Sequence, residues 1–377
     1  MTAPSAPVPL VDLAEQHRRL QEEIESAVIR VLRSGVYVLG PEVAAFEAEL
    51  AAYVGVRHAV ACASGTDALL LALMSLGLAP GDEVIVPSFT IYIDAEVVSL
   101  LGGVPRFAEI DPRTYTLDPA RVAEQVTART RAVIVTHLYG MPADMDGIRA
   151  VAGRHRLPII EDACQAIGSR YRGRRAGALG DVGCFSFFPT KNLGACGDGG
   201  ALTTDDAGLA ATLRLLRNHG ARAKYVHEAI GMNSRLDEVQ AAILRIKLRR
   251  LDAWNARRGE LAARYDAGLA RIGVSPPHRP PERETNHHQY TIRAPRRDAL
   301  RAFLAAEGIE SAVHYPLAPF QQAVYAGRHA AGDHPIGAQA AAEVLSLPLF
   351  PELDPGGVDR VVAAIGRSGE APDATRA

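Results

Sequence analysis

The sequence predicts an α/β protein with a largely parallel central sheet, followed by a smaller α+β unit. Three observations carry this expectation. Short, uniformly apolar runs alternate with helical patterns up to residue 205, as strands buried on both faces do. Beyond residue 205 the pattern shifts to longer helical stretches and then to a mixed region. The chain has 377 residues, 48% of them hydrophobic, which is enough for more than one core.

Taken in order, residues 15–34 place Leu20, Ile24, Val28 and Leu32 at helical spacing, and Ser34-Gly35 ends that helix. A second helix runs from Pro41 through Phe46 and Leu50 to Tyr53. Strands are expected at Val84–Val86, Arg106–Ile110, Ala132–His137, Leu157–Ile160, Val182–Phe187 and Ala201–Thr204, with helices such as Thr66–Leu76 and Asp118–Val126 between them. A Leu- and Arg-rich helical stretch from Leu236 to about Ala270 is long enough to connect two domains. The Pro-rich segment Pro276–Pro281 comes next. Then come a strand at Gln289–Arg293, a helix at Arg297–Glu307, a strand at Glu310–Val313 and a helix at Ala338–Val344. The polar tail after Arg367 is expected to fray. The expected division is a large domain over 1–250 and a small C-terminal domain over 251–377.

Composition excludes several functions. A net charge of −2 with a pI near 6.6 does not mark a nucleic-acid or anionic-membrane binder. No apolar run approaches the roughly 20 residues of a bilayer helix. Met1–Pro9 lacks a basic segment followed by an apolar one, so no signal peptide is expected. Cys62, Cys164, Cys184 and Cys196 have no C-x-x-C spacing and are expected to be buried, reduced thiols of a cytoplasmic protein. There is no H-E-x-x-H, and His287-His288 is a poor metal pair, so no metal is expected.

Three loops at strand ends carry unusual polar clusters, where ligands of open α/β sheets sit. Ser64-Gly65-Thr66-Asp67 leads into an apolar helix. It reads either as a plain helix cap or as a phosphate cradle of free backbone amides. Ile159-Ile160-Glu161-Asp162-Ala163-Cys164-Gln165 ends a buried strand in two carboxylates. Asp162 either caps a following helix or stays ionised to keep a heterocyclic nitrogen protonated. Phe185-Ser186-Phe187-Phe188-Pro189-Thr190-Lys191-Asn192-Leu193-Gly194 places a lysine between an aromatic strand and Gly197-Asp198-Gly199-Gly200. Lys191 is either a surface lysine or, in an apolar pocket, an amine of lowered pKa suited to imine chemistry. Neither P-loop nor dinucleotide-fold spacing is present.

Together these loops resemble the DegT/DnrJ/EryC1/StrS sugar aminotransferases of the fold-type I pyridoxal-phosphate enzymes. The resemblance covers nearly the whole chain. It runs from Gly40-Pro41-Glu42-Val43 through Pro87-Ser88-Phe89-Thr90 and the three loops to Gly231-Met232-Asn233-Ser234-Arg235-Leu236, His288-Gln289-Tyr290 and Val313-His314-Tyr315-Pro316. It implies a pyridoxal-phosphate-binding large domain and a homodimer with shared sites. Lys191 would be the Schiff-base lysine and proton carrier. Asp162 would pair with the pyridinium nitrogen, Gln165 would bond near the ring hydroxyl, and Gly65, Thr66 and Ser186 would hold the phosphate. Asn233 would reach the partner's phosphate. It further implies amino transfer from glutamate or glutamine, by way of pyridoxamine phosphate, to the C3 or C4 keto group of a dTDP- or UDP-linked sugar. The Lys191 loop looks more like members acting at C3.

Arg222 and Lys224 are candidates for the diphosphate, or else solvated surface. His314 and Tyr315 are candidates for the sugar end, or else packing residues. Two positions depart from the family. Ile91 stands where an aromatic residue commonly covers the cofactor, with Tyr92 next to it, and Phe320 stands where His is frequent. A sugar dehydratase of the same fold carries His in place of the lysine, which Lys191 argues against. A non-catalytic regulator would not need the full set of Asp162, Gln165, Ser186 and Lys191.

Overall fold

The computed structural model describes residues 6–328 and 332–369. Met1–Ser5 and the tail from Glu370 onward lie outside the described residues, and with them most of the segments read for a leader and for fraying. Two helices, α1 (Leu13–Ser34) and α2 (Pro41–Val54), precede the sheet. The chain then alternates through β1 (His58–Cys62), α3 (Gly65–Ser75), β2 (Glu83–Pro87), α4 (Ile93–Leu100), β3 (Val104–Ala108), α5 (Pro119–Gln125), β4 (Thr130–Thr136), α6 (Met145–His155) and β5 (Ile159–Asp162). The short strands β6 (Arg170–Tyr171) and β7 (Arg174–Arg175) lead to β8 (Val182–Ser186), β9 (Gly200–Thr204) and α7 (Ala207–Leu216). A hairpin, β10 (Ala221–Ala223) and β11 (Val226–His227), comes before α8 (Glu238–Leu248) and α9 (Leu251–Arg271). The remainder is β12 (Arg283–Glu284), β13 (Tyr290–Arg293), α10 (Arg297–Ala306), α11 (Pro335–Glu343), β14 (Val344–Leu347) and α12 (Pro355–Arg367).

Seven strands form the central sheet in the order β1-β9-β8-β5-β4-β2-β3. The pairs β2/β3, β2/β4, β4/β5 and β5/β8 are parallel, whereas β9 runs antiparallel to both β8 and β1. Parallel neighbours need a crossover, but antiparallel ones can be joined by a loop. The segment between β8 and β9 therefore returns without a helix, and that return carries Lys191. It also brings Cys62 opposite Gly200, so the C-terminal ends of β1, β5 and β8 share one edge with the start of β9.

Successive strand residues face opposite sides. Val84, Val86, Ile134 and Ile160 pack with α3, α4 and α7. Ile85, Val133, Val135 and Ile159 pack with α5 and α6, and Ala59, Ala61, Phe185 and Phe187 pack with α2 and α8. A further core joins α9, β13, α10, β14 and α12, with Val8 packed into it.

Several details differ from the sequence expectation. The buried face of α1 is Leu20, Ile24, Ala27 and Val31, and Leu32 is 54% exposed. A strict four-residue spacing drifts around a helix of 3.6 residues per turn, so the buried stripe steps back to i+7 and i+11. The stretch from Leu236 to Ala270 is two helices, broken at Arg249-Arg250. Glu310–Val313 makes only an isolated bridge, in which Ala312 and Ser346 exchange both backbone hydrogen bonds on the edge of β14 away from β13. Val344 opens β14 instead of closing a helix. The Ala-rich β1, absent from the expected strands, is held by its ladder with β9. Cys196 is exposed, not buried, because it lies on the Lys191 loop and not in a strand. Among the described residues no helix is long and apolar enough to cross a membrane.

Candidate active site

The shared strand edge opens into a cavity of about 290 Å³. Its wall includes Ser64, Gly65, Thr66, Leu69, Ile91, Ile93, Asp162, Cys164, Gln165, Ser186, Phe188, Lys191 and Asp198. All three loops singled out in the sequence meet here.

The first loop caps its helix and leaves two backbone amides free at the helix end. Ser64 Oγ caps α3 by accepting the Asp67 amide at 3.0 Å. The Ala68 amide bonds Ser64 O, which leaves the Gly65 and Thr66 amides at a positive helix end bordering the cavity. Gly65 is required by space: a Cβ there would lie 2.6 Å from Ser186 Cβ and 3.0 Å from Cys164 Sγ. Gly200 answers to the same crowding, since its Cβ would lie 2.2 Å from Ser64 O.

The second loop separates its two carboxylates by strand alternation. Glu161 turns away from the cavity and is fully buried. It accepts from the amides of Gly177, Leu179 and Gly180 and bonds His137 Nε2 at 2.9 Å. Ala143 N donates to His137 Nδ1, so the proton of the ring is assigned to Nε2. Asp162 faces the cavity, and its Oδ1 accepts the Cys164 amide at 2.9 Å. Gln165 Oε1 accepts the Tyr139 amide at 2.7 Å, and its Nε2 donates to Tyr315 Oη at 3.0 Å. Both ends of that amide are held, so its orientation is settled by neighbours.

The third loop is clamped on several sides. Lys191 N bonds Phe188 O, and Asn192 Nδ2 donates to Asn255 and to the Asn286 carbonyl. Asn192 Oδ1 pairs with His288 Nδ1 at 3.0 Å. Lys247, buried under the loop, donates to the Gly194 carbonyl at 2.8 Å. Burial lowers the Lys191 pKa, against the opposing pull of Cys164 and Asp162. The effect favours a free amine, the form a nucleophile or proton carrier needs.

The remaining sequence candidates lie around this centre. Ile91 lines the cavity, whereas the Tyr92 ring packs toward Tyr325 at 6.3 Å. Tyr315 touches the site through Gln165. His314 Nδ1 bonds Ser346 Oγ at 3.0 Å, and burial with the nearby Lys191 pushes the ring down to about 4. Asn233 is exposed, and neither it nor the β10–β11 hairpin lines the cavity. Arg222 pairs with Glu228 at 2.7 Å, and Lys224 Nζ lies 5.2 Å from the Tyr225 ring centre. Phe320 is a core residue against Phe107 and His334. Sequence reasoning missed Asp198 and Phe188 on the cavity wall, although both lie in the quoted loop. It also missed Asp94, a buried neighbour of Asp162.

A family model, the DegT/DnrJ/EryC1/StrS aminotransferase family, matches residues 18–366. The chain belongs to that family. It is 50% identical over 97% of its length to a dTDP-3-amino-3,4,6-trideoxy-α-D-glucose transaminase of Streptomyces venezuelae, covering 97% of that protein. The crystal structure of S. venezuelae DesV in complex with a ketimine intermediate superposes with a TM-score of 0.95 at 49% identity, covering 98% of this chain and 100% of that one. NtdA of Bacillus subtilis, solved with bound cofactor PMP, gives a TM-score of 0.90 at 32% identity, covering 96% of this chain and 85% of that one. In this chain the region matched by the family carries all three loops of the shared strand edge.

Proposed function

We propose that this family member is a pyridoxal-phosphate aminotransferase that moves an amino group from glutamate or glutamine to the C3 keto group of a nucleoside-diphosphate-linked sugar. The observation that carries the reading is the meeting of Lys191, Asp162 and the Gly65–Thr66 amides in one cavity. These residues fit the cofactor chemically. The Gly65 and Thr66 amides border the cavity at the N-terminus of α3, a position suited to a phosphate. A carboxylate and an amine of lowered pKa stand on the same cavity wall.

Bound pyridoxal phosphate supplies an electron sink for negative charge developing on the substrate carbon. The Gly65 and Thr66 amides and the Ser186 hydroxyl hold its phosphate. Asp162 holds a proton on the ring nitrogen, and Gln165 bonds near the ring hydroxyl. Ile91 and Phe188 offer apolar surface that excludes water from the ring. Lys191 Nζ would hold the cofactor in the resting enzyme and, once displaced by the donor's amino group, would as a free amine take a proton from the donor carbon and deliver one to the sugar carbon. The C3 position draws on the 3-amino product in the name of the S. venezuelae relative. His314 and Tyr315, on the small-domain side, approach the sugar end.

The working unit is a homodimer. Ile29, Leu32, Val36, Tyr37, Val38 and Leu39 are all exposed at the end of α1 and the turn into α2. Contiguous exposed apolar surface of this kind suits a partner copy. Asn233 and the hairpin bearing Arg222 and Lys224 would then serve the partner's cavity, the latter two toward the diphosphate. The large domain ends near residue 250, where α8 gives way to α9. Four free thiols, one of them exposed, suit the reducing cytoplasm.

The test is to incubate the purified protein with pyridoxal phosphate, glutamate and a panel of nucleotide-linked 3-keto and 4-keto sugars, and to identify the product by NMR. Bleaching of the bound cofactor on glutamate and a 3-amino product are expected. A colourless protein, or Lys191→Ala with multiple turnovers, overturns the reading.

A further inference from the structure

Asp94, in the first turn of α4, is a buried carboxyl that the proposed chemistry leaves unused. It is fully buried on the side of the sheet that carries α3 and α4. Its Oδ2 accepts the hydroxyls of Thr90, just past β2, and Thr136, at the end of β4. Its Oδ1 has no hydrogen-bond partner among the described residues unless a proton is placed there. Thr136 stands directly opposite Asp162 in the β4–β5 register. Asp94 and Asp162 lie within hydrogen-bonding reach of one another. Two buried carboxyl groups in contact cannot both be ionised, so one carries a proton.

The surroundings decide which. Asp162 borders the cavity, accepts a backbone amide and shares the wall with the Lys191 amine. Asp94 accepts the neutral hydroxyls of Thr90 and Thr136, and among the described residues no cation is one of the groups that act on it. Burial, and then the Asp162 charge, raise Asp94 well above the usual carboxylate range.

We propose that Asp94 is a neutral carboxylic acid whose Oδ1–H donates to Asp162, and that it thereby positions Asp162. No bond changes: the proton stays on Asp94, and Asp162 accepts. A donor on one side fixes the orientation of the Asp162 carboxyl toward the cavity and the ring nitrogen it would meet there. Asp94 is thus a positioning residue. This consequence rests on the proposed role of Asp162, whereas the protonation state of Asp94 does not.

Infrared spectroscopy of the cofactor-free protein at pH 7.5 tests the protonation state directly. A carboxylic-acid C=O band that shifts in D2O is expected in the parent and absent from Asp94→Asn. No such band in the parent, which needs no variant to fold, or an unchanged band in Asp94→Asn, overturns the proposal. In the holoenzyme, Asp94→Asn retains an N–H donor and is expected within about threefold of the parental kcat. Asp94→Leu is expected to lose roughly tenfold in kcat with the donor KM unchanged, because a charge-assisted hydrogen bond is lost. Equal losses in the two variants would reduce Asp94 to packing and overturn its positioning role. If the protein binds no pyridoxal phosphate, the infrared result still stands or falls alone.

Discussion

Gly65→Ala separates space from conformation at the phosphate end of the cavity. Gly65 is the first residue of α3, and its φ is not in the left-handed region, so alanine can adopt the backbone. The added methyl, however, would meet Ser186 Cβ at 2.6 Å, Cys164 Sγ at 3.0 Å and Ser186 Oγ at 3.1 Å. Real Cβ contacts do not come so close, so the helix end must move away from β8. Overpacking of this kind costs about 1–3 kcal/mol. If the movement pulls the Gly65 and Thr66 amides from the phosphate, cofactor affinity falls by roughly 10- to 100-fold. The assay is titration of the cofactor-free protein with pyridoxal phosphate, alongside thermal unfolding without it. Gly65→Ala/Ser186→Gly removes two of the three contacts and is expected to regain stability more fully than affinity, since the Ser186 hydroxyl is gone. Parental affinity and parental stability in Gly65→Ala would refute both the crowding and the phosphate placement.

Three further outcomes are expected. Asp162→Ala should bind cofactor yet transaminate far more slowly, by ~100-fold or more in single-turnover absorbance measurements, because the ring loses its proton partner; a parental rate would contradict it. Lys247→Met removes the buried donor to the Gly194 carbonyl and should cost about 1–3 kcal/mol in denaturant unfolding, with an unchanged midpoint contradicting the clamp. Acid should destabilise the protein before its carboxylates titrate. Burial holds His287 down to about 3 and His314 to about 4, and keeps His288 well below 6.5. Below pH 6.5 the unfolded state binds more protons, so this stability is complete above 6.5 and is lost as pH falls toward 4, by about 1.4 kcal/mol per histidine per pH unit. Thermal midpoints at pH 7.5 and 5.5 should therefore differ, and equal values would count against buried neutral histidines.

The strands of the parallel part, the cap at Ser64 and the polar loops at strand ends are legible from local order. Apolar runs, helical periods and capping residues act within a few positions, so Lys191 and Asp162 stand out before any contact is known. Alternation along β5 even implies that Glu161 and Asp162 part to opposite faces, although it does not say which one meets the cavity. That choice depends on the loop at 177–180, whose amides claim Glu161. The reversal of β9 is equally hidden, because strand direction is set by partners and not by the residues of the strand. Glu238 looks like an ordinary acidic residue at the start of a helix. In the fold it is buried and caps α2, accepting the amides of Gly40, Glu42 and Val43 from far along the chain. Asp94 reads as a helix-start acid too, yet it meets Thr136 only because the fold carries the first turn of α4 over the end of β4, the neighbour of β2. Sequence order thus determined which chemistry-bearing residues the chain has, and tertiary contact decided which of them are charged, paired or turned toward the site. The physical reason is that burial and long-range partners, not neighbours in sequence, set a side chain's electrostatic environment.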